Sequence, residues 1–290
     1  MAKSDTGRLI LCADDYAIAP GVSRAIRRLI EAGRLTATSC MSVSPFWASE
    51  AQALRPCAAR ADIGLHLTLT NLRPLGPMPV TCPEGRLPGV RDLTIAAWCR
   101  RVDLGEIAAE FGHQLDAFES AFGAPPAFLD GHQHVHQLPG LRDVVLDLWE
   151  RRLAHHGAWL RVTDEPIAAI LQRGVERTKA AIISLLGRGL GRRARARRIP
   201  VNDGFSGVQD FSGRIPYEHL FERFLEAPRG RYLVMCHPGE VDDALRAVDD
   251  VTGAREEELR FFESDAFPRL VARHGLALSR FDPPQISARG

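Results

Sequence analysis

The chain has 290 residues, a formal net charge of +1 and an isoelectric point of about 7.7. This length accommodates one large α/β domain with a sizeable core, and we interpret residues 1–290 as a single domain. The balanced charge excludes a globally basic surface, so we expect no nucleic-acid partner. No apolar run approaches the length of a membrane span.

The six cysteines are scattered along the chain, with no C-x-x-C pair and no regular framework spacing. Such usage is typical of reduced thiols in a cytoplasmic protein. The apolar run at 9–13 is too short for a signal peptide. We therefore expect a soluble cytoplasmic protein, and the sequence leaves a homodimer open.

Strands and helices alternate from the start of the chain. Short apolar runs at 8–13, 38–43 and 63–69 predict strands, and the last of them alternates apolar and polar residues. Apolar residues at a spacing of three and four predict helices at 22–32 and 46–54. Repeated strand–helix units favour a parallel sheet with right-handed crossovers.

The segment 71–92 contains five prolines and three glycines and predicts a long loop, which is a candidate lid over a site. Helices are expected at 93–102 and 104–122, and Asp103 begins the second with a pattern that resembles a capping box. The remaining expected elements are strands at 127–130, 158–162, 232–236 and 276–281 and helices at 141–152, 217–226, 252–264 and 267–274.

A basic segment lies between the fifth and sixth expected strands. An apolar helical pattern runs from 167 to 186, and 187–198 then contains six arginines, so we interpret 167–200 as a basic insertion or flexible segment. The arginines fit a solvated helix end or surface loop, or alternatively a surface for an anionic ligand. The glycine-rich segment 201–213 predicts a shaped loop.

Seven or eight strands, nearly all followed by helices, favour a distorted (β/α) barrel of mostly parallel strands, similar to a TIM barrel. The alternative is an open doubly wound sheet, because the pattern alone does not show whether the sheet closes. In both architectures functional side chains gather at the carboxyl ends of the strands.

Four expected strands carry polar residues at that end; three are described here, and the fourth, at 127–130, leads into the stretch described next. Asp14 and Asp15 follow the first strand, His66 lies in the third between Leu65 and Leu67, and His237 follows a late strand. Asp14 and Asp15 are consistent with two roles: they cap the next helix, or one binds a metal ion while the other remains free as a base. His66 is consistent with a buried structural histidine or with a metal ligand.

The stretch from Asp130 to His136 has a metal-capable side chain at every second position. Asp130, His132, His134 and His136 would share one face wherever the chain stays extended. The alternative is a polar surface turn before a helix. Two imidazoles and a carboxylate with open positions favour one divalent ion, Zn²⁺ first, with Mg²⁺ or another transition ion as alternatives.

The segments 13–16, 64–67, 130–136 and 235–239 together resemble the motifs of the YdjC-like carbohydrate deacetylases, which include the chitooligosaccharide deacetylases. The resemblance covers roughly 9–281. It implies a distorted (β/α) barrel that removes N-acetyl groups from amino sugars with a divalent ion.

The resemblance also implies a role for individual residues. Asp15, His66 and His132 would bind the metal ion, and Asp14 would act as the general base. His237 would be the general acid, protonated before it donates to the departing amine. The implied partner is an N-acetylated sugar or glycan.

Four further positions are implied to lie near the sugar. His134 and His136 would contact the substrate or support the metal site, Arg161 would bind hydroxyl or charged groups, and Phe205 would stack on a pyranose face. Tyr16 stands where the family often has phenylalanine. The basic segment is longer than a chitooligosaccharide enzyme leads us to expect, which leaves the particular sugar open.

Two other classes of protein fit the same residues. A barrel-type metal-dependent phosphoesterase or amidohydrolase could use the same ligands, and it would bind two ions. A metal-containing binding protein could use the basic segment to hold an acidic glycan or a nucleic acid, with strongly salt-dependent affinity.

Overall fold

The computed structural model describes residues 7–281. Eight strands lie within this range: β1 (Gly7–Tyr16), β2 (Ala37–Cys40), β3 (Asp62–Leu67), β4 (Phe128–Gly131), β5 (Trp159–Leu160), β6 (Gly204–Ser206), β7 (Arg231–Cys236) and β8 (Leu276–Leu278). All of their pairings are parallel.

The strands follow one another around a distorted barrel. The sheet order is β5-β4-β3-β2-β1-β7-β6, and β8 pairs with the start of β1. A single bridge from Leu160 to Val201 and the Asn202 side chain, which bonds both backbone groups of Val162, connect β5 to the segment that leads into β6. The order never reverses, as it would in a doubly wound sheet, so the barrel prediction is confirmed.

Side chains of β1 alternate between two separate cores. Leu9 and Leu11 pack outward against the helices, whereas Ile10 and Cys12 point into the barrel. The inner core consists of Ile10, Cys12, Ala37, Phe128, Trp159, Phe205, Val208, Leu233, Met235 and Phe281. The amino end of the barrel is therefore filled with apolar side chains.

Eleven helices lie within the described range: α1 (Pro20–Glu31), α2 (Trp47–Leu54), α3 (Val90–Trp98), α4 (Leu104–Phe122), α5 (Leu141–Arg152), α6 (Ile167–Arg173), α7 (Arg177–Ala196), α8 (Tyr217–Phe224), α9 (Asp243–Arg246), α10 (Gly253–Glu263) and α11 (Ala266–Arg273). Asp103 caps α4 by accepting from the amides of Gly105 and Glu106. Among these described helices, none is long and apolar enough to cross a membrane.

The basic segment is helical. Helix α7 continues to Ala196, so 187–198 does not form a loop. Several of its arginines form ion pairs, for example Arg193 with Asp143 and Arg197 with Asp147 on α5. The loop predicted at 201–213 likewise contains strand β6, whose pairing with β7 was hidden by its glycine-rich sequence.

The long loop between β3 and α3 is bound to α4. The Glu110 carboxylate, which is 1% exposed, accepts from the amides of Leu75 and Gly76, and Glu106 accepts from Val80 and Thr81. Buried backbone donors need such partners. The candidate lid is therefore held at four backbone positions in this structure.

Gly64→Ala is expected to destabilise the barrel by about 1–3 kcal/mol. A Cβ atom at Gly64 would lie 2.4 Å from the ring of Phe128, which stacks on Trp159 at 4.2 Å and has little room to move. Urea unfolding measures the loss. Gly112→Ala in α4 is the control, because its Cβ atom meets nothing within 4 Å, and it should be neutral or stabilising. Equal stability of both variants would contradict the packing argument.

Candidate metal centre and active site

Two adjacent carboxylates reach the same cavity from the end of β1. The pairing of β1 with β2 shifts register between Ala13 and Tyr16, and Asp15 adopts a left-handed conformation with φ of 65°. In a regular strand Asp14 and Asp15 would point to opposite faces. The irregularity lets both line the cavity, each with different partners.

Three side chains from three strands form the candidate metal cluster. The ligand atoms of Asp15, His66 and His132 all lie within 4.8 Å of one another. His132 Nδ1 is 2.9 Å from Asp15 Oδ1, and His66 Nε2 is 3.4 Å from the same oxygen. These are the three residues that the sequence resemblance implies as ligands.

Asp130 orients His66 from behind. His66 Nδ1 donates to Asp130 Oδ1 at 2.7 Å, which directs Nε2 toward Asp15. Ser39 also donates to Asp130, and Arg161 forms an ion pair with it at 2.7 Å. A carboxylate behind a ligating histidine is a common feature of metal sites, because it sets the tautomer and the ring orientation.

The cluster attracts positive charge. Burial favours neutral His66, yet Asp130 and Asp15 raise the pKa of His66 to about 10. Burial likewise opposes ionisation of Asp15, but His132 and Arg255 hold the pKa of Asp15 well below its usual range. A proton or a metal cation can neutralise this excess negative charge, and the two-nitrogen, one-oxygen donor set fits a divalent transition ion.

Arg161 bridges the two carboxylates that do not belong to the cluster. Its two terminal nitrogens donate to the two oxygens of Asp14, both at 2.7 Å, and it also pairs with Asp130. Cys12, Asp14 and Asp130 form a second group with metal-capable atoms close together. The Arg161 guanidinium already forms ion pairs with both carboxylates of that group, which disfavours the binding of a second cation there.

His237 lies beside Asp14 at the end of β7. Its Nε2 is 3.9 Å from Asp14 Oδ2, and its ring packs edge-on against Phe211 at 5.1 Å. Burial lowers the pKa of His237 to about 4, although Asp15 and Asp14 oppose this effect. Burial therefore favours the neutral imidazole, whereas the two carboxylates favour the protonated form that a general acid requires.

The stretch from Asp130 to His136 is not extended beyond Gly131. Strand β4 ends at Gly131, and His132–Gln137 forms a 3₁₀ turn in which Gln133 and His134 have φ of 51° and 61°. His134 lines the cavity, whereas His136 is fully buried and donates from Nε2 to the carbonyl of Arg161. The turn thus separates the histidines that alternation places on one face.

Three of the residues expected near the sugar do not line the cavity. Arg161 and His136 are each 0% exposed, and Phe205 is 3% exposed within the inner core. Arg161 binds the carboxylates of Asp14 and Asp130 and does not line the cavity. It can therefore act only through these two carboxylates. Of the four positions, only His134 reaches the cavity wall.

Arg255 is a site residue that the sequence did not reveal. It lies on α10, is 2% exposed, and donates to Asp15 Oδ2 at 2.6 Å while it pairs with Asp249. It follows no strand and belongs to no recognisable pattern, so no sequence signal could have identified it. The sequence marked Asp130 as metal-capable near the end of β4, and the structure places it behind His66 instead.

Asp130→Asn is expected to weaken affinity for a divalent ion by about 10- to 100-fold. The amide is neutral and has only one oxygen that accepts hydrogen bonds. It therefore loses the negative charge that pairs with His66 and Arg161. Equilibrium dialysis with Zn²⁺ measures the change, and Asp116→Asn at an exposed position is the control. Unchanged affinity in Asp130→Asn would show that His66 is oriented by other contacts.

His136 should make the fold sensitive to acid. Burial lowers the pKa of His136 to about 4, whereas an unfolded histidine has its usual value near 6.5. The folded state binds fewer protons between these values, so stability falls as pH falls from about 6.5 to 4, by at most about 1.4 kcal/mol per pH unit. His136→Gln should flatten this part of the curve of unfolding free energy against pH. Parallel curves would contradict the assignment.

The cavity above the cluster has a volume of about 770 Å³. Its floor contains all five residues expected to carry the chemistry: Asp14, Asp15, His66, His132 and His237. Parts of the 71–89 loop, of α3 and of α7 form its walls. The barrel therefore gathers its polar side chains at the carboxyl ends of the strands, as the sequence predicts.

A barrel with this arrangement of carboxylates and histidines has the form of a metal-dependent hydrolase. The family model described as YdjC-like protein matches residues 8–273. The chain belongs to the YdjC-like family.

Curated relatives align with almost the whole chain. A chitooligosaccharide deacetylase of Klebsiella pneumoniae (strain 342) is 30% identical over 277 residues, with 94% of this chain and 97% of the relative covered. A carbohydrate deacetylase of Geobacillus stearothermophilus is 28% identical over 274 residues, covering 93% and 94%.

One solved structure, a protein of Enterococcus faecalis V583 provisionally named for cellobiose-phosphate cleavage, superposes with a TM-score of 0.73. It is 20% identical, and the match covers 95% of this chain and 97% of that chain. This similarity shows that the two proteins share a fold.

Proposed function

We propose that this protein is a metal-dependent hydrolase that removes the acetyl group from the nitrogen of an amino sugar, with residues 1–290 acting as one deacetylase domain. The observation that carries the proposal is the cluster of Asp15, His66 and His132 directly beside Asp14 and His237 on one cavity floor. The names of the curated relatives support the choice of an N-acetylated carbohydrate as the substrate.

Asp15, His66 and His132 would hold one divalent ion, with Zn²⁺ favoured by the two imidazoles and Mg²⁺ less suited. When bound, such an ion polarises a carbonyl oxygen and makes water a better nucleophile. Asp130 and Arg255 position the ligands, through His66 and Asp15 respectively.

Asp14 is the general base. Its carboxylate lines the cavity, and the two bonds from Arg161 fix the plane of the group. From this position Asp14 takes a proton from the water that attacks the acetyl carbon. Arg161 is thus a positioning residue, because it is buried behind Asp14 and does not contact the substrate.

His237 delivers a proton to the leaving nitrogen. The amine is too basic to depart as an anion, so the carbon–nitrogen bond breaks only as the nitrogen is protonated. Burial favours the neutral form of His237, whose Nε2 is 3.9 Å from Asp14 Oδ2. It can therefore receive the proton that Asp14 has taken and pass it on. Water supplies the hydroxyl of the acetate and the proton of the free amine.

Acetate release tests the proposal. Purified protein is incubated with a panel of N-acetylated sugars, with and without a chelator, and with Zn²⁺ added back. We expect release from at least one member, loss with the chelator and recovery with the ion. A parallel panel of phosphate esters is the comparison, and hydrolysis confined to that panel would overturn the proposal in favour of a phosphoesterase.

A further inference from the structure

Aliphatic side chains form much of the lining of the cavity above the candidate cluster, beside polar residues such as Asn71, Glu176, Lys179 and Gln209. The aliphatic side chains include Ile18, Met41, Leu138, Ile182, Ile183 and Leu186. Among the described lining residues, Phe211 is the one aromatic ring other than the histidines. A volume of about 770 Å³ leaves much of this aliphatic wall beyond the reach of an acetamido group at the floor.

A second groove, at the protein surface, adjoins this cavity. It has a volume of about 500 Å³ and is lined by the apolar side chains of Ile167, Ala181, Ile182 and Leu185, with Arg177, Thr178, Ser184 and Arg188 around them. Thr178 and Ile182 line both the cavity and the groove, so the two are contiguous along α7. Ile182 is 59% exposed and Leu185 is 67% exposed, which leaves this track open to solvent.

A sugar chain is a poorer match than an alkyl chain for the aliphatic side chains of this track. Each pyranose carries hydroxyl groups around its ring, and burying a hydroxyl against aliphatic side chains without a hydrogen bond is unfavourable. An alkyl chain gains about fourfold in affinity for each methylene group that it buries against such a wall. The wall therefore favours an aliphatic group over a second or third sugar.

We infer that the substrate is an N-acetyl amino sugar joined to an aliphatic aglycone, that is, a glycolipid, whose chain crosses α7 at Ile182 and reaches Leu185. The identity of the sugar part rests on the proposed function, whereas the aliphatic part rests on the groove alone. The continuity of the groove with the catalytic cavity selects a tail of the substrate over a separate protein partner as the occupant.

Binding of an alkyl glycoside without an acetyl group tests the groove separately from the reaction. Octyl glucoside, below its micellar concentration, is titrated by calorimetry into the full-length protein, with methyl glucoside as the reference ligand. We expect octyl glucoside to bind at least about tenfold more tightly, since burial of two methylene groups already provides that factor. Equal binding of the two glycosides would overturn the inference, whatever the enzyme activity.

Two substitutions test where the alkyl chain of octyl glucoside binds. Ile182→Asp and Leu185→Asp place a charge on the track at exposed positions where folding should tolerate it, and each should remove most of the preference for the octyl ligand. Ile215→Asp is the matched control, because Ile215 is 51% exposed and lies outside both the cavity and the groove. A preference that survives in Ile182→Asp and Leu185→Asp would overturn the inference.

A comparison of turnover tests whether an alkyl chain in the groove promotes the reaction. The octyl and methyl glycosides of N-acetylglucosamine are compared by acetate release, and kcat/KM should be at least about tenfold higher for the octyl substrate, mainly through a lower KM. If no member of the panel of N-acetylated sugars and neither glycoside is hydrolysed but octyl glucoside binds the track, the proposed function fails while the aliphatic site stands. If both are hydrolysed equally and a change of oligomeric state accompanies Ile182→Asp, the track is a subunit interface and the inference is wrong.

Discussion

Asp14→Asn is expected to keep the divalent ion and to lose turnover by about 10²- to 10⁴-fold, the usual contribution of a general base. The amide cannot take a proton from water, and it presents an NH₂ group to Arg161 in place of one carboxylate oxygen. The ligands Asp15, His66 and His132 are unchanged. Metal content is measured by atomic emission and turnover by acetate release.

The control for this variant is Asp210→Asn, which removes a carboxylate outside the cavity and should leave turnover as in the wild type. The loss in Asp14→Asn should lie in kcat more than in KM, because the proton transfer occurs only in the reaction step. Normal deacetylation by Asp14→Asn would show that another group is the base. Loss of the ion in Asp14→Asn would place Asp14 among the ligands instead.

His132→Ala is expected to lose the ion and the activity together. His132 is one of the three proposed ligands and its side chain is 15% exposed, so its removal should harm the site more than the core. Added Zn²⁺ should raise the unfolding temperature of the wild type, because a ligand at 100 times its Kd stabilises the folded state by about 2.7 kcal/mol. The same addition should not stabilise His132→Ala.

His134→Ala is the matched control for metal binding. It removes a histidine two residues further along the same stretch, whose ring contacts Phe205 at a centroid distance of 5.8 Å and not the cluster. It should therefore bind one ion per chain like the wild type. An ion retained in His132→Ala, or lost in His134→Ala, would show that the wrong histidine has been assigned as the ligand.

Much of the barrel could be predicted from local patterns. Alternation in β3 places Leu65 and Leu67 against the helices and His66 in the barrel, and the structure agrees because a strand offers only two faces. Strand β6 was missed because its three residues lie in a glycine-rich segment with no periodicity to read. Its existence depends on its pairing with β7, which is a contact between distant parts of the chain.

The sequence by itself determined which strands carry metal-capable and titratable side chains at their ends. Asp14, Asp15, His66, His132 and His237 all follow or lie within recognisable strands. Their approach to one another follows from the rule that parallel strands present their carboxyl ends on one side. That much requires only local periodicity and one topological rule.

Only the tertiary structure decided how these side chains are supported. Arg161 reaches Asp14 across 147 residues and Arg255 reaches Asp15 across 240, and neither contact has a local signal. The left-handed turn at Gln133 and His134 likewise removes His136 from the face that alternation predicts. Periodicity describes regular backbone, whereas ion pairs between distant segments and irregular turns depend on packing that no short window of sequence contains.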